Sequence, residues 1–432
     1  MIRLFFAALM LAAQAVQAQI GLPNVRLPAL PPAQLPNIDR TLSAVDAQND
    51  PRVLQEVRRL RVRDLIRRNR ATLEAAPDGA AIVRNELVVL SPSDADIAGA
   101  QAAGFVVDRI RVLDGLDSRV VILRAPPGMS TQRALARLRL LEPAVSADFN
   151  HIYIDSGAAA VPNEESPVAV TGGEGRGKLG LIDSGVDVSH PVFKDAPIHA
   201  YGCGGAQVPG PHGTAVASLM IGRSVEFHGS APGSELYAAD VYCGLPTGGA
   251  VDVVAEAFAW LARERVPVIN VSLVGPPNVT LEAVVRMVVA RGHLIVAAVG
   301  NDGPAAPPLY PASYPGVVGV TAVDSHRRVL IEAARGSQVT FAAPGAEMSA
   351  AKSPQGFEVV RGTSFAAPIV AGLLAAELHE PDRDAAARAI GNLERRAIDL
   401  GAPGLDPVYG YGLVGADLGQ EPRLARVHAG QK

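Results

Sequence analysis

The sequence predicts an α/β protein whose parallel β-sheet has helices on both faces and is preceded by a smaller α+β domain. Predominantly apolar segments, as in residues 179–182, 268–271 and 294–298, are typical of strands buried on both sides. Segments that fit helices, such as residues 251–263 and 281–291, separate them, which indicates a doubly wound sheet. The chain has 432 residues, of which 48% are hydrophobic, so it can form two or three domains with buried cores.

The first 18 residues have the pattern of a signal peptide. Arg3 carries a positive charge, residues 4–16 are apolar, and Val16-Gln17-Ala18 fits a cleavage site. We therefore expect an exported protein, either periplasmic or secreted. The apolar stretch is too short for a transmembrane helix, and we expect no membrane span later in the chain.

Residues 19–79 combine a proline-rich stretch with an arginine-rich segment. Seven arginines crowd between residues 58 and 70, and apolar residues recur in this segment at helical spacing. A helix face in contact with solvent is the favoured interpretation, and a binding patch is the alternative. The net charge of -4 argues against nucleic acid as the main partner.

Residues 80–155 predict a compact domain of four strands and two helices. The strands are expected at residues 82–90, 106–113, 120–124 and 145–154, and the second helix at residues 130–141. The first helix is expected to start with Ser91 as its cap and Asp94 as its capping-box residue. The order βαββαβ is the ferredoxin-like arrangement.

A linker of residues 156–177, rich in alanine and glycine, leads into the α/β domain of residues 178–420, and residues 421–432 form a tail. Three polar residues stand where the elements of this domain begin or end. Asp183 follows an apolar strand, His212 opens a helix, and Ser364 begins an apolar helix. A serine hydroxyl needs a base to become a nucleophile, and a carboxylate can orient that base. The sequence therefore predicts a catalytic triad.

A glycine-rich turn after another strand carries Asn301. Its amide and the backbone N–H of Ser364 are suited to stabilise an oxyanion. Asp, His and Ser follow one another in the order found in subtilisin, whereas α/β-hydrolases have the order Ser, acid, His. Any one of these motifs alone is weak, but their combination in this order strongly favours a serine hydrolase.

These motifs resemble the subtilisin-like serine proteases over residues 178–415. The resemblance implies an exported serine endopeptidase that acts on proteins or peptides through an acyl-enzyme and is made as an inhibited precursor. The ferredoxin-like domain would be the propeptide that inhibits the enzyme, and the linker would contain the site of self-cleavage. The resemblance also assigns substrate binding to residues of the cleft, namely Ser272, Leu273, Val274, Gly300 and Leu309.

Several positions differ from the family pattern. Val192 stands where many relatives have a calcium-binding aspartate, so we expect neither a metal nor another cofactor. Val274 replaces a pocket glycine and Leu309 a small residue, which predicts a preference for small side chains before the cleaved bond. Cys203 and Cys243 are the only cysteines, and in an exported chain they are expected to form a disulfide.

Two other functions remain possible from the sequence. The first is a binding or folding factor that keeps the scaffold without catalysis, but such relatives lose a triad residue or the oxyanion asparagine, and this chain keeps all four. The second is an exported esterase with the same triad. The peptide-pairing segment at Ser272 favours cleavage of amides.

Overall fold

The computed structural model describes residues 51–156, 158–159, 177–225 and 227–419. The predicted signal peptide, the proline-rich stretch, the C-terminal tail and most of the linker lie outside these residues. Within them, no helix is both long enough and apolar enough to cross a membrane. Helix α1 (Pro51–Arg68) is followed by an N-terminal domain (residues 73–155) and a large domain (residues 177–419).

The N-terminal domain has the predicted ferredoxin-like arrangement. Its elements are β1 (Leu73–Ala75), β2 (Ala81–Leu90), α2 (Asp94–Ala102), β3 (Val106–Leu113), β4 (Ser118–Arg124), α3 (Thr131–Leu141) and β5 (Ser146–Asp155). The antiparallel sheet has the order β5-β2-β4-β3. Strand β1 pairs with β2, so the sheet begins a few residues before the predicted boundary at residue 80.

The start of α2 differs from the prediction by two residues. Ser93 is the cap, and Asp96 completes the capping box by accepting a hydrogen bond from the Ser93 backbone. Ser91 still belongs to the strand pairing, because its backbone N–H donates to Arg119 O and its Oγ lies 2.6 Å from Ser118 Oγ. The assignment of Ser91 and Asp94 was therefore wrong, although the capping motif itself was correct.

The large domain contains a seven-stranded parallel sheet formed by β7 (Lys178–Asp183), β8 (Ile198–Tyr201), β9 (Glu235–Asp240), β11 (Val268–Val271), β13 (Leu294–Ala298), β14 (Val317–Val323) and β15 (Val339–Pro344). The order of these strands across the sheet is β15-β14-β13-β11-β7-β9-β8. The shorter strands are β6 (Ala158–Ala159), β10 (Gly249–Ala250), β12 (Leu273–Val274), β16 (Met348–Ala351) and β17 (Phe357–Arg361). The helices are α4 (Pro211–Ile221), α5 (Val251–Arg263), α6 (Val279–Ala290), α7 (Thr363–Ala375) and α8 (Arg383–Arg396).

Helices cover both faces of this sheet, which confirms the predicted doubly wound fold. Apolar residues of α4 and α7 form one core with one face, and residues of α5 and α6 form a second core with the other face. The strands point the same way, so their carboxyl ends gather polar residues at one edge, where sites of such sheets form.

The N-terminal domain packs on α5 and α6 through polar as well as apolar contacts. Asp148 Oδ2 accepts a hydrogen bond of 2.9 Å from Val279 N at the start of α6. Asp252, which is fully buried in the first turn of α5, accepts hydrogen bonds from Arg109, Arg111 and Asn150. Burial raises the pKa of Asp252, but the two arginines outweigh burial and lower it overall.

Candidate active site

Three polar side chains from distant parts of the chain meet at the carboxyl edge of the parallel sheet. Asp183 ends β7, His212 lies in the first turn of α4, and Ser364 lies in the first turn of α7. His212 Nδ1 is 2.9 Å and 3.0 Å from the carboxylate oxygens of Asp183, and its Nε2 is 3.2 Å from Ser364 Oγ. The structure thus brings the three predicted residues together in the arrangement that activates a serine.

Glycines allow the elements that carry these residues to approach closely. A Cβ atom on Gly213 would lie 2.0 Å from the backbone oxygen of Ser184, so glycine is required where α4 meets the end of β7. Gly362 has a φ of +136°, a conformation that favours glycine, and it turns the chain from β17 into α7.

Burial and charge act in opposite directions on His212. Burial disfavours the imidazolium, whereas the charge and hydrogen bond of Asp183, together with the charge of Asp155, favour it. The net effect raises the pKa of His212 to about 9. Asp155 belongs to β5, so the N-terminal domain contributes to the protonation equilibrium of this histidine.

Asn301 lies beside the start of α7, as the sequence predicts. Its Oδ1 accepts a hydrogen bond of 3.1 Å from Thr363 N, so the side-chain NH₂ remains as its donor group. Gly300 N donates to Thr363 Oγ1 over 3.2 Å, which ties the glycine-rich turn to the same helix. A donor held on fixed backbone is suited to stabilise an oxyanion at Ser364.

The predicted substrate-pairing segment is occupied by the end of β5. Strand β12 pairs antiparallel with β5, with Leu273 opposite Asp155 and Val274 opposite Ile154. Ser272, just before β12, donates a hydrogen bond of 3.0 Å from Oγ to the backbone oxygen of Ser364. The N-terminal domain therefore inserts an extended strand next to the serine.

This strand is paired on its other edge as well. Strand β10 pairs with β5, with Gly249 opposite Tyr153, and Tyr153 OH donates to Pro276 O over 2.6 Å. After the cleft, β6 pairs antiparallel with β17, the strand that leads into Ser364. Paired strands thus hold the chain on both sides of Ser156, which is itself buried.

The other predicted pocket residues lie close together. A Cβ atom on Gly300 would come within 2.4 Å of Leu309 Cδ1, so these two residues are in contact. Leu309 and Val274 are buried apolar side chains. Beside His212 there is also a cavity of 440 Å³, whose lining includes Asp155, Tyr242, Leu245 and Phe365.

The model of the subtilase family, Peptidase_S8, matches residues 176–412 of this chain. The chain belongs to the subtilase family. The alkaline protease of Alkalihalobacillus alcalophilus is 31% identical over 294 residues, which are 64% of this chain and 74% of the relative. Subtilisin BL of Lederbergia lenta is 32% identical over 251 residues, which are 56% of this chain and 89% of the relative.

A solved structure gives independent support for the fold. Fervidolysin from Fervidobacterium pennivorans, described as a keratinolytic enzyme related to subtilisin, matches with a TM-score of 0.67 and 20% identity. The match covers 82% of this chain and 64% of the fervidolysin chain. Together with the relatives that are proteases, family membership identifies this subtilase as a serine endopeptidase and favours catalysis over a non-catalytic scaffold.

This subtilase contains the predicted disulfide. Cys203 and Cys243 are bonded, with their Cα atoms 5.2 Å apart. Cys203 follows β8 and Cys243 follows β9, and these strands are neighbours in the sheet. The bond therefore fixes the loop that carries Tyr242 and Leu245 at the cavity beside His212.

The position predicted to lack a calcium ligand is buried in the core of the domain. Val192 is 2% exposed and packs in the same apolar cluster as Phe193 and Val216. The nearby Asp187 accepts hydrogen bonds from the hydroxyl groups of Ser189 and Ser353.

Some residues at the cleft were not identified from the sequence. Thr363 holds the turn of Asn301, and Tyr153 anchors β5, but threonine before serine and tyrosine in a strand are common. Arg58 forms an ion pair with Asp302, with 3.0 Å between Nε and Oδ2, which joins α1 to the residue after Asn301. The crowding of arginines in this segment, with a binding patch as the alternative interpretation, was the signal in the sequence that pointed toward such a contact.

Proposed function

We propose that Asp183, His212 and Ser364 are the catalytic triad of this endopeptidase and that Asn301 is an oxyanion donor. Ser364 Oγ would attack the carbonyl carbon of a peptide bond while His212 takes the hydroxyl proton. As the C–N bond breaks, His212 returns that proton to the leaving amine, and an acyl-enzyme remains on Ser364. Water, activated by the same histidine, would then hydrolyse the ester. The distances of 2.9 Å and 3.2 Å on the two sides of His212 support these roles.

Substrates would bind as extended peptides between β10 and β12. The observation that carries this proposal is that β5 already occupies this position with backbone pairing on both edges. The two strands can form hydrogen bonds with the backbone of an extended protein or peptide substrate. A small ester has no such backbone and would leave the edges of both strands unpaired. The same observation therefore argues against the esterase alternative.

The N-terminal domain would be a propeptide that inhibits the enzyme until it is removed. Its strand β5 lies in the cleft like a substrate, and the chain continues into β6 along β17 on the far side of Ser364. We assign cleavage to the bond after Ser156, which is one of the bonds between these two paired segments. Self-cleavage there would produce a mature chain beginning at Gly157.

Ser156 agrees with the expected preference for small residues before the cleaved bond. Its side chain is small and buried, and the pocket residues Val274 and Leu309 are larger than those common in the family. Steric exclusion of a large side chain costs about 1–3 kcal/mol in a packed site.

The enzyme is also proposed to be exported. The signal-peptide pattern at residues 1–18, the disulfide of Cys203 and Cys243, and the relationship to subtilisins support a periplasmic or secreted enzyme. Neither a metal nor another cofactor takes part in the proposed reaction.

The experiment compares the purified wild-type precursor with its Ser364→Ala variant. Ser364→Ala removes the nucleophile and one oxygen atom, so the fold should persist. The wild-type chain should shorten to the Gly157 terminus and hydrolyse peptides, whereas the variant should stay full length and inactive. Equal processing of both proteins, with other proteases absent, would contradict the proposal.

A further inference from the structure

Helix α1 precedes the N-terminal domain and extends beyond it. Its 18 residues make it about 27 Å long at 1.5 Å per residue. The C-terminal half packs through Val62, Leu65 and Ile66 on the cluster formed by Leu73, Ala81 and Ile152. Ile154 of β5 and Ala250 of β10 also belong to this contact, so α1 covers the strand that lies in the cleft as well as the edge that holds it.

Helix α1 thereby completes the enclosure of β5. Side chains alternate along a strand, so Ile152 and Ile154 point to the opposite face from Tyr153. Tyr153 packs in the core of the large domain, while the two isoleucines pack with α1. The end of β5 thus contacts β10, β12, α1 and the core of the large domain.

The N-terminal half of α1 reaches the active site. Leu54 is 4% exposed, and one turn later Arg58 pairs with Asp302, the residue that follows Asn301. The side chains of Arg58 and Asp302 are only 21% and 13% exposed. Burial raises the pKa of Asp302, while Arg58 and the more distant Arg61 oppose that rise.

The arginines of α1 differ according to the face on which they lie. Arg58 and Arg61 are half-buried on the side of the cleft, whereas Arg59, Arg63 and Arg67 are exposed. The expectation of a face in contact with solvent is therefore correct only for the outer arginines. The inner face contacts the protein, because it combines apolar residues with the arginine that pairs with Asp302.

We propose that α1 is an inhibitory strap that holds β5 in the cleft after self-cleavage, with the Arg58–Asp302 pair as its attachment to the active-site rim. This inference rests on the proposed cleavage after Ser156. Cleavage breaks one covalent bond but leaves every contact of α1 and β5 in place, so the enzyme stays inhibited until they dissociate. The strap thus sets the time between cleavage and activity.

The ion pair is suited to control that time. Loss of one partner from a pair that is largely withdrawn from solvent acts mainly on dissociation, because the other charge is left covered and unpaired. Without Arg58, Asp302 would remain under α1 with no cation in hydrogen-bond contact. Dissociation of the cleaved domain should then be faster, while the attack of Ser364 on its own chain should not change.

The test uses the full-length chain with Arg58→Ala and, as the matched control, Arg59→Ala. Arg59 is the next residue on the same helix, but its side chain is 68% exposed and lies 3.8 Å from Glu56. The cleaved but still associated complex is isolated and diluted, and the time before a peptide substrate is hydrolysed is measured. Mass spectrometry follows cleavage separately. Arg58→Ala should shorten the delay at least about tenfold, and Arg59→Ala should leave it unchanged.

Equal delays in the two variants would overturn the strap. If Arg58→Ala gives too little folded protein, Arg58→Lys replaces it, because lysine keeps the charge without the second hydrogen bond to Asp302. The delay of this variant should lie between those of wild type and Arg58→Ala. A delay equal to that of wild type would refute the inference. Failure of the proposed function looks different, because the wild-type chain would then not be cleaved after Ser156 at all.

Discussion

Asp155 should control the pH at which the precursor cuts itself. This carboxylate is the last residue of β5 and lines the cavity beside His212. Its charge, added to that of Asp183, helps to raise the pKa of His212 to about 9 despite burial. Because Asp155 leaves with the propeptide, it acts on self-cleavage and not on the mature enzyme.

The size of the effect follows from the protonation of the base. His212 can accept a proton from Ser364 only when neutral, and with a pKa of about 9 it is roughly 1% neutral at pH 7, 10% at pH 8 and 50% at pH 9. Self-cleavage should therefore accelerate about tenfold from pH 7 to pH 8 and level off above pH 9. Asp155→Asn keeps the shape of the side chain but removes the charge that favours the imidazolium, so the rising limb should move to lower pH.

The assay measures the rate of appearance of the cleaved fragment from pH 6 to pH 10. The control is Asp94→Asn, which removes a charge from the same domain at a side chain that is 93% exposed. The Asp155→Asn precursor should cleave itself faster than the wild-type precursor at pH 7. Peptide hydrolysis by the mature enzyme should show a lower apparent pKa than self-cleavage of the wild-type precursor. An unchanged profile for Asp155→Asn, or an equal shift in Asp94→Asn, would refute the electrostatic argument.

Four further outcomes are expected. Asn301→Ala should lower the kcat of the mature enzyme by about 10²–10³, the range known for the loss of this donor in subtilisin itself. An unchanged kcat would contradict the role of Asn301 as an oxyanion donor. Replacing Cys203 and Cys243 by alanine should cost at most about 4 kcal/mol of unfolding free energy for a separation of 40 residues, measured by denaturation. A chelator should leave the melting temperature unchanged, and a large fall would reveal a calcium site despite Val192. A peptide library should favour Ala, Gly or Ser before the cleaved bond, and preference for Phe, Leu or Arg would exclude this specificity.

The fold was predictable because its signals are local and repeated. An apolar run such as residues 294–298 is typical of a strand that is buried on both faces. The βαββαβ arrangement follows from the type of each element and its order in the sequence. The triad was predictable because each residue follows a strand or opens a helix, and the carboxyl edge of a parallel sheet brings such positions together.

Contacts that depend on the face and register of an element were harder to predict. The choice between Ser91 and Ser93 as a cap depends on where the pairing of β2 ends, which the neighbouring strand decides. The pairing of Arg58 with Asp302 joins residues 244 positions apart. Helical spacing identifies an amphipathic helix, but it cannot tell which of several arginines faces a carboxylate from another domain.

Ser364 is the proposed nucleophile of a triad with His212 and Asp183. The decisive measurement is labelling of the processed enzyme with a reagent that reacts with activated serines, followed by peptide mapping. We expect one adduct on Ser364, formed faster as His212 becomes neutral with rising pH, and no adduct in Asp183→Ala over the same period. An adduct on another serine, or equal labelling of Asp183→Ala, would contradict the assignment of the triad.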